Sequence, residues 1–222
     1  MGFLQKVKQP WQSLKVTKMT KRIALIGASG HGKVVDDIVK ANGYSDIVFY
    51  DDRSSDSSNV YDIPVVGRVE HAISEVDYDY VYVAIGNNSI RKKIQEQLNR
   101  VGLPLIHPSA CVSSSALLGL GTIVMPNAVI NAGTKIGKGV IVNSGAVIEH
   151  DCIIDDFAHI CPNASLAGGV TVGRESWVGI GATVMQLCTV GNNSTVGAGA
   201  VVIDDVKDNH TVVGNPAKSL KR

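Results

Sequence analysis

His150 is followed directly by Asp151, and an imidazole beside a carboxylate is how an oriented general base is built. A base of that kind contributes roughly 10²–10⁴ in rate. The pair comes two residues after Ile148, an aliphatic that belongs inward, so it should project from a turn. His159 lies in the next stretch. Two histidines alone do not make a metal site; no third ligand accompanies them, and no metal is expected. The segment Gly27-Ala28-Ser29-Gly30-His31-Gly32-Lys33 has the glycines that let a backbone approach phosphate. Asp51 and Asp52 are placed to accept ribose or base hydrogen bonds. Asn87 and Arg91 follow another strand-end glycine, and the Arg91 fork matches a diphosphate.

The elements that must position these groups can be read from period. Residues 22–27, RIALIG, form a short apolar run of the buried parallel-strand kind. A helix follows the Gly-rich turn, with Val34, Ile38 and Ala41 on one face, and Asn42-Gly43 stops it. Strands at Ile47–Tyr50 and Tyr80–Ile85 come next, then a helix from Ser89 to Arg100. Strand, Gly loop, helix is the physical recipe for holding phosphate on a helix N-terminus. The spacing is GxxGxG rather than GxGxxG, and the unit supplies one mononucleotide half, which favours a nucleotide or nucleotide sugar over a dinucleotide. A glycine turn that only packs strand on helix would give the same spacing.

The second half repeats every six residues. From Val112 to Val202, sixteen consecutive positions at that step are Val, Ile or Leu. A second column, from Ala116 to Ala200, holds small or β-branched residues. Period six fits a parallel β-helix with three flat faces, here about five coils by three repeats per coil. Glycine follows the aliphatic at 119, 137, 173, 179, 191 and 197, and is expected to turn the corners. Cys152 and Cys188 fall in the small column and read as core fillers.

Composition excludes several classes. Lys+Arg is 21 and Asp+Glu is 20 over 222 residues, which argues against a nucleic-acid-binding surface. No apolar run reaches the roughly 18 residues of a transmembrane segment. No CxxC pair suggests zinc. Residues 1–20 lack a secretory pattern and read as a flexible extension, and the expected location is cytoplasmic. The expected domains are 1–20, 21–107 and 108–222.

With GASGHGKVV, AIGNN, IHPSA, Ile148-Glu149-His150-Asp151-Cys152 and Gly214-Asn215-Pro216-Ala217-Lys218, residues 21–222 resemble the hexapeptide-repeat sugar acyltransferases. The nearer group is that of the sialic acid O-acetyltransferase-like and bacillosamine-pathway nucleotide-amino-sugar N-acetyltransferases. The resemblance implies a Rossmann-like α/β domain followed by a left-handed β-helix. It also implies a homotrimer with active sites between neighbouring prisms, acetyl-CoA as co-substrate and no metal. It assigns His150 as base and Asp151, where the family often has Glu, as its polariser. Acetyl-CoA would meet an outward-facing His159, the Gly168 N–H as oxyanion donor, Ile180, Ala198, Gly199 and Lys218. Ser29, Gly30, His31, Asp51, Asp52, Asn87 and Arg91 would take the nucleotide sugar.

The leading expectation is acetyl-CoA-dependent N-acetylation of the 4-amino group of a nucleotide-linked, UDP-type, 4-amino-4,6-dideoxy sugar. The alternatives are sugar O-acetylation of the sialic acid type and a non-catalytic nucleotide-sugar scaffold.

Overall fold

The computed structural model describes residues 5–6, 21–53, 59–60, 63–74 and 77–220. The expected extension over 1–20 lies outside them except for Gln5–Lys6, which pairs antiparallel with Leu117–Leu118.

The front unit is a five-stranded sheet. Its elements are β1 (Arg22–Ile26), α1 (Gly30–Ala41), β2 (Asp46–Tyr50), β3 (Asn59–Val60), β4 (Ile63–Gly67), α2 (Val69–Ser74), β5 (Tyr80–Val83) and α3 (Asn88–Gln95). The strand order is β3-β4-β2-β1-β5. β2, β1, β5 and β4 run parallel, and β3 pairs antiparallel with β4. The apolar runs of β1 and β2 are buried on both faces, as parallel strands between layers must be.

α3 is shorter than the predicted Ser89–Arg100 helix. It stops at Gln95, whose amide donates to the Leu120 carbonyl at 3.2 Å. The chain then turns back so that Val101 bridges Val81 in parallel. The tertiary route overrides the local helical pattern.

From Leu105 onward the chain winds into a three-faced parallel β-helix. One face stacks Leu105–Ile106, Ile123–Val124, Ile141–Val142, His159–Ile160, Trp177–Val178, Thr195–Val196 and Thr211–Val213. The second face runs from Cys111–Val112 to Val201–Val202, and the third from Leu117–Leu118 to Thr189–Val190. All sixteen aliphatics of the six-residue column lie in one core cluster, none more than 8% exposed. The small column is buried throughout, Cys152 and Cys188 included. All four cysteines are free thiols.

The corners correct one expectation. The residues in the left-handed region are not the glycines directly after the aliphatics. They lie two places further on, at every sixth position from Gly121 to Gly199. Gly, Asn and Asp fill most of these places, as a positive φ demands; Phe157, Glu175 and Leu187 are the exceptions. Glycines such as Gly119 and Gly173 are required for another reason. A Cβ on Gly119 would stand 2.5 Å from the Gly137 carbonyl carbon, and one on Gly173 would stand 2.7 Å from the Asn192 nitrogen. Close approach of coil to coil is what selects them.

The two units share a core. Leu105, Ile123, Met125 and Ile141 point out of the first face and pack with Ile23, Leu25, Val35, Ile38, Phe49 and Tyr82 of the front unit. The other side of the front sheet packs Ala24, Ile26, Val48 and Val83 with Ala72, and Ile94 and Leu98 lie against it.

Candidate active site

Asp151 occupies a left-handed corner, φ 59°, between the second and third faces. That backbone conformation turns its short side chain onto the preceding residue, and Asp151 Oδ2 lies 2.9 Å from His150 Nδ1. Both side chains are largely exposed. With Nδ1 protonated toward the carboxylate, Nε2 is left as an acceptor. One coil further on, Gly168 stacks against the ring: a Cβ there would lie 2.7 Å from both Cε1 and Nε2. Gly169 donates its N–H to the His150 carbonyl at 2.9 Å, whereas the Gly168 N–H makes no backbone hydrogen bond among the described residues. An imidazole acceptor and an unengaged backbone donor therefore meet at one exposed corner.

The other acetyl-CoA candidates are distributed differently. Ile180, Ala198 and Gly199 stack at the corner between the first and second faces, where Gly199 donates to the Ile180 carbonyl at 2.8 Å. Within one chain a full face separates them from His150. Lys218 is exposed on a terminal hairpin against Val213.

His159 departs from the expectation of an outward, solvent-facing residue. It does point out of its face, but the front unit covers it, and it is 8% exposed. Its Nε2 meets Asn143 Nδ2 at 3.1 Å, and its ring stands edge-on to Trp177. Nδ1 has no hydrogen-bond partner of good geometry. Burial, then the charges of Arg91 and His31, push its pKa down to about 3, against a small opposing pull from the Gly86 carbonyl. His31, at the start of α1, is likewise pushed to about 4 by burial and Arg91, and its Nε2 is also unpartnered. Both rings are neutral acceptor–donor groups at physiological pH.

The Gly-rich turn divides its labour. A Cβ on Gly27 would meet the Ala84 carbonyl at 2.7 Å, and one on Gly32 would collide with the Gly27 carbonyl. These two glycines pack loop against strand and helix. Gly30 has open space beside it. Ser29 begins α1 without capping it through its side chain. Beside this turn a cleft of 410 Å³ is lined by Gly27, Ser29, Asp51, Asp52, Arg53 and Ile90 among others. Asp51 is mostly spent inside the wall. Its Oδ2 accepts from the Ala28 N–H at 2.8 Å, and its Oδ1 from the Arg53 N–H at 2.9 Å. Burial raises the Asp51 carboxyl, but the hydrogen bonds from Arg53 and Ala28 and the Arg53 charge hold it below the ordinary value. Asp52 accepts from the Val69 N–H at the start of α2 and is otherwise exposed.

Arg91 is a second departure. Its guanidinium is 0% exposed and is not offered to a diphosphate. Nε donates to the Gly139 carbonyl at 2.7 Å, Nη2 to Phe157 O at 2.8 Å and Asn88 Oδ1 at 2.9 Å, and Nη1 to the Ile85 and Gly86 carbonyls. Burial lowers its pKa to about 9 against the raising charge of Glu175. Asn87 caps α3 through Oδ1, 3.0 Å from the Ile90 N–H.

Residues absent from the sequence reading also gather here. Trp177 and Asn88, with Gly86, Asn87, Glu175 and Thr195, line a second cleft of 310 Å³ between α3 and the first face. A signal for this was present. Every eighteenth residue is an outward position of that face, and Leu105, Ile123, Ile141, His159, Trp177 and Thr195 run from buried to half-exposed. The front unit covers the early coils and the cleft opens at the later ones.

Among the described residues no group of three metal-ligand side chains exists, and no helix is long and apolar enough to cross a membrane.

Residues 22–98 match the family described as the PglD N-terminal domain. The whole fold matches the acetyltransferase domain of PglB from Neisseria gonorrhoeae FA1090, solved with acetyl coenzyme A. The TM-score is 0.87 and the identity 46%, over 90% of this chain and 100% of that one. A variant of perosamine N-acetyltransferase from Caulobacter crescentus, solved with CoA and GDP-perosamine, matches with a TM-score of 0.85 and 36% identity, over 90% of this chain and 97% of that one. The UDP-N-acetylbacillosamine N-acetyltransferase of Bacillus subtilis is 38% identical over 115 residues, 47% of this chain and 51% of that protein. The match thus spans about half the length of that curated relative. An α/β front unit on a hexapeptide-repeat prism is the architecture of a sugar acyltransferase. The chain belongs to the bacillosamine-pathway family of these proteins, with its left-handed β-helix.

Proposed function

We propose that the protein transfers the acetyl group of acetyl-CoA to the 4-amino group of a nucleotide-linked 4-amino-4,6-dideoxy sugar. The observation that carries this is the His150–Asp151 pair set against Gly168 at an exposed corner. The acetyl-CoA and CoA complexes of the PglB domain and the perosamine enzyme support the donor. The amino-sugar substrates in the relatives' names support the acceptor. UDP is the nucleotide in one of those names and GDP in another; we favour UDP, on the 38% identity to the UDP-N-acetylbacillosamine enzyme and the bacillosamine-type motifs.

In the proposed reaction the sugar amine attacks the thioester carbonyl carbon. The new C–N bond forms, and the amine proton passes to His150 Nε2. Asp151 orients the ring and stabilises the imidazolium. The Gly168 N–H donates to the carbonyl oxygen as it gains charge. The C–S bond then breaks, and the CoA thiolate takes the proton back from His150. Ser29, Gly30 and Asp52 hold the nucleotide in the front cleft, and His31 and His159 read the sugar as neutral groups. Ile180, Ala198 and Gly199 line the pantetheine arm, and Lys218 meets the CoA phosphates. These corners flank opposite edges of one face, so a complete site needs a second prism, and we assign a homotrimer. The reaction is assigned to the cytoplasm.

The test is thiol release from acetyl-CoA against UDP-, dTDP- and GDP-linked 4-amino sugars and free sialic acid, with His150→Ala alongside. Turnover on a nucleotide amino sugar, lost in the variant, is expected. Turnover on sialic acid alone would replace the reading with O-acetylation, and silence throughout would favour a binding scaffold.

A further inference from the structure

Arg91 is the largest fully buried side chain of the described residues, and it sits where three pieces of backbone meet. Two of its acceptors, Gly139 and Phe157, belong to the prism corner beneath α3. Two more, Ile85 and Gly86, follow strand β5; both line the cleft beside the Gly-rich turn, and Gly86 lines the second cleft as well. Another, Asn88, opens α3 and itself donates to the Glu175 and Ser176 carbonyls of the prism, and Nη2 also reaches the Ala158 carbonyl at 3.4 Å. All five N–H groups of the fork are engaged, four of them by main-chain oxygens. No carboxylate among the described residues forms an ion pair with it.

Holding two domains together does not require this arrangement. The apolar contacts of Ile123, Met125 and Ile141 already do so, and burying a cation without a carboxylate is costly. A planar fork does supply something apolar packing cannot: it fixes separate backbone segments at set angles and distances. The segments it fixes are the cleft wall and the coil that carries His159. Flanking links run along the same helix. Lys92 pairs with Glu175 at 2.6 Å, Lys138 with Glu96 at 3.5 Å, and Gln95 reaches Leu120.

We propose that Arg91 is a positioning residue: its buried fork indexes the wall shared by the two clefts to the prism, and so sets where the acceptor sits relative to the acyl-transfer corner. The proposal rests on the acetyltransferase reading for its kinetic consequence only. It replaces the expectation that the fork meets a diphosphate directly.

The experiment compares wild type with Arg91→Lys, Arg91→Met and the milder Asn88→Ala as full-length proteins. Each is measured for turnover, acetyl-CoA affinity and hydrogen exchange. A misplacement of about 1 Å is enough to cost roughly 100-fold in rate. Arg91→Met is therefore expected to lose about 100-fold in kcat, with acetyl-CoA affinity within about twofold of wild type; such a split is what positioning predicts. Arg91→Lys keeps the charge but not the fork and should recover only part of the rate. Asn88→Ala should lose several-fold. Exchange should quicken over residues 84–90 and stay unchanged over 165–200. A folded Arg91→Met protein with kcat within threefold of wild type overturns the proposal. So does a loss that tracks the unfolded fraction alone. If the wild type turns over nothing, the acetyltransferase reading fails by itself, and the exchange over 84–90 still decides whether Arg91 fixes the wall.

Discussion

The ring of His150 fills the space in front of Gly168, one coil further along the prism, so closely that a methyl group there would stand 2.7 Å from both Cε1 and Nε2. The proposed base is thus seated on a glycine whose N–H makes no backbone hydrogen bond among the described residues. Gly168→Ala should push the imidazole off its seat with little change in the prism, because the ring is an exposed side chain free to swing. We expect kcat to fall at least tenfold while the melting temperature moves by only a few degrees. A variant with wild-type turnover would show that the ring's seat is immaterial.

His150→Ala removes the proposed base itself. The expected loss in kcat is about 10²–10⁴, with KM for acetyl-CoA nearly unchanged. Asp151→Asn keeps a side chain suited to the left-handed corner but withdraws the carboxylate from Nδ1. Its fold should persist and its kcat should drop by a smaller factor, about tenfold. Steady-state kinetics on both variants checks the order; equal losses would mean that the carboxylate does more than orient.

Stability should depend on pH through His31 and His159. Their folded pKa values, about 4 and about 3, lie below the ordinary histidine value of 6.5. Between those values the unfolded chain binds protons that the folded chain does not, so stability rises with pH. The contribution is fully present above pH 6.5. It is lost progressively as pH falls toward 4 and then 3. Thermal melts from pH 8 to 4 should show this decline, and His159→Asn should flatten it. An unchanged slope in the variant would contradict the burial argument.

Asp51→Ala would leave the Ala28 N–H without its acceptor and free Arg53. A lost partner of this kind costs about 1–3 kcal/mol. The Gly-rich turn should loosen, and KM for the nucleotide sugar should rise several-fold with kcat little altered. Calorimetric titration of the nucleotide alone separates this from an effect on acetyl transfer.

The six-residue column was legible because an inward side chain every third of a coil admits no other period, and all of Val112 to Val202 is buried. The exposed corner of His150 and Asp151 was legible too, since two residues beyond Ile148 is a turn in any prism of this kind. Three features were not. His159 reads as outward, which is true of its own strand, but only the docking of a second unit makes it buried. Arg91 reads as a fork for a diphosphate, because nothing local shows that Gly139 and Phe157 will arrive beside it. The corner glycines read as one kind, whereas coil contact selects Gly119 and backbone sign selects Gly121. The misses at His159, Arg91 and Gly119 concern contacts between residues far apart in the chain.

The shared core has a consequence for synthesis. Residues 22–98 leave the ribosome before Leu105, Ile123, Met125 and Ile141 exist, yet those four side chains complete the packing of Ile23, Leu25 and Phe49. The front unit, though translated before the prism, is therefore the later of the two to settle. It must wait, with one face of its sheet uncovered, until the early coils of the prism emerge to close it.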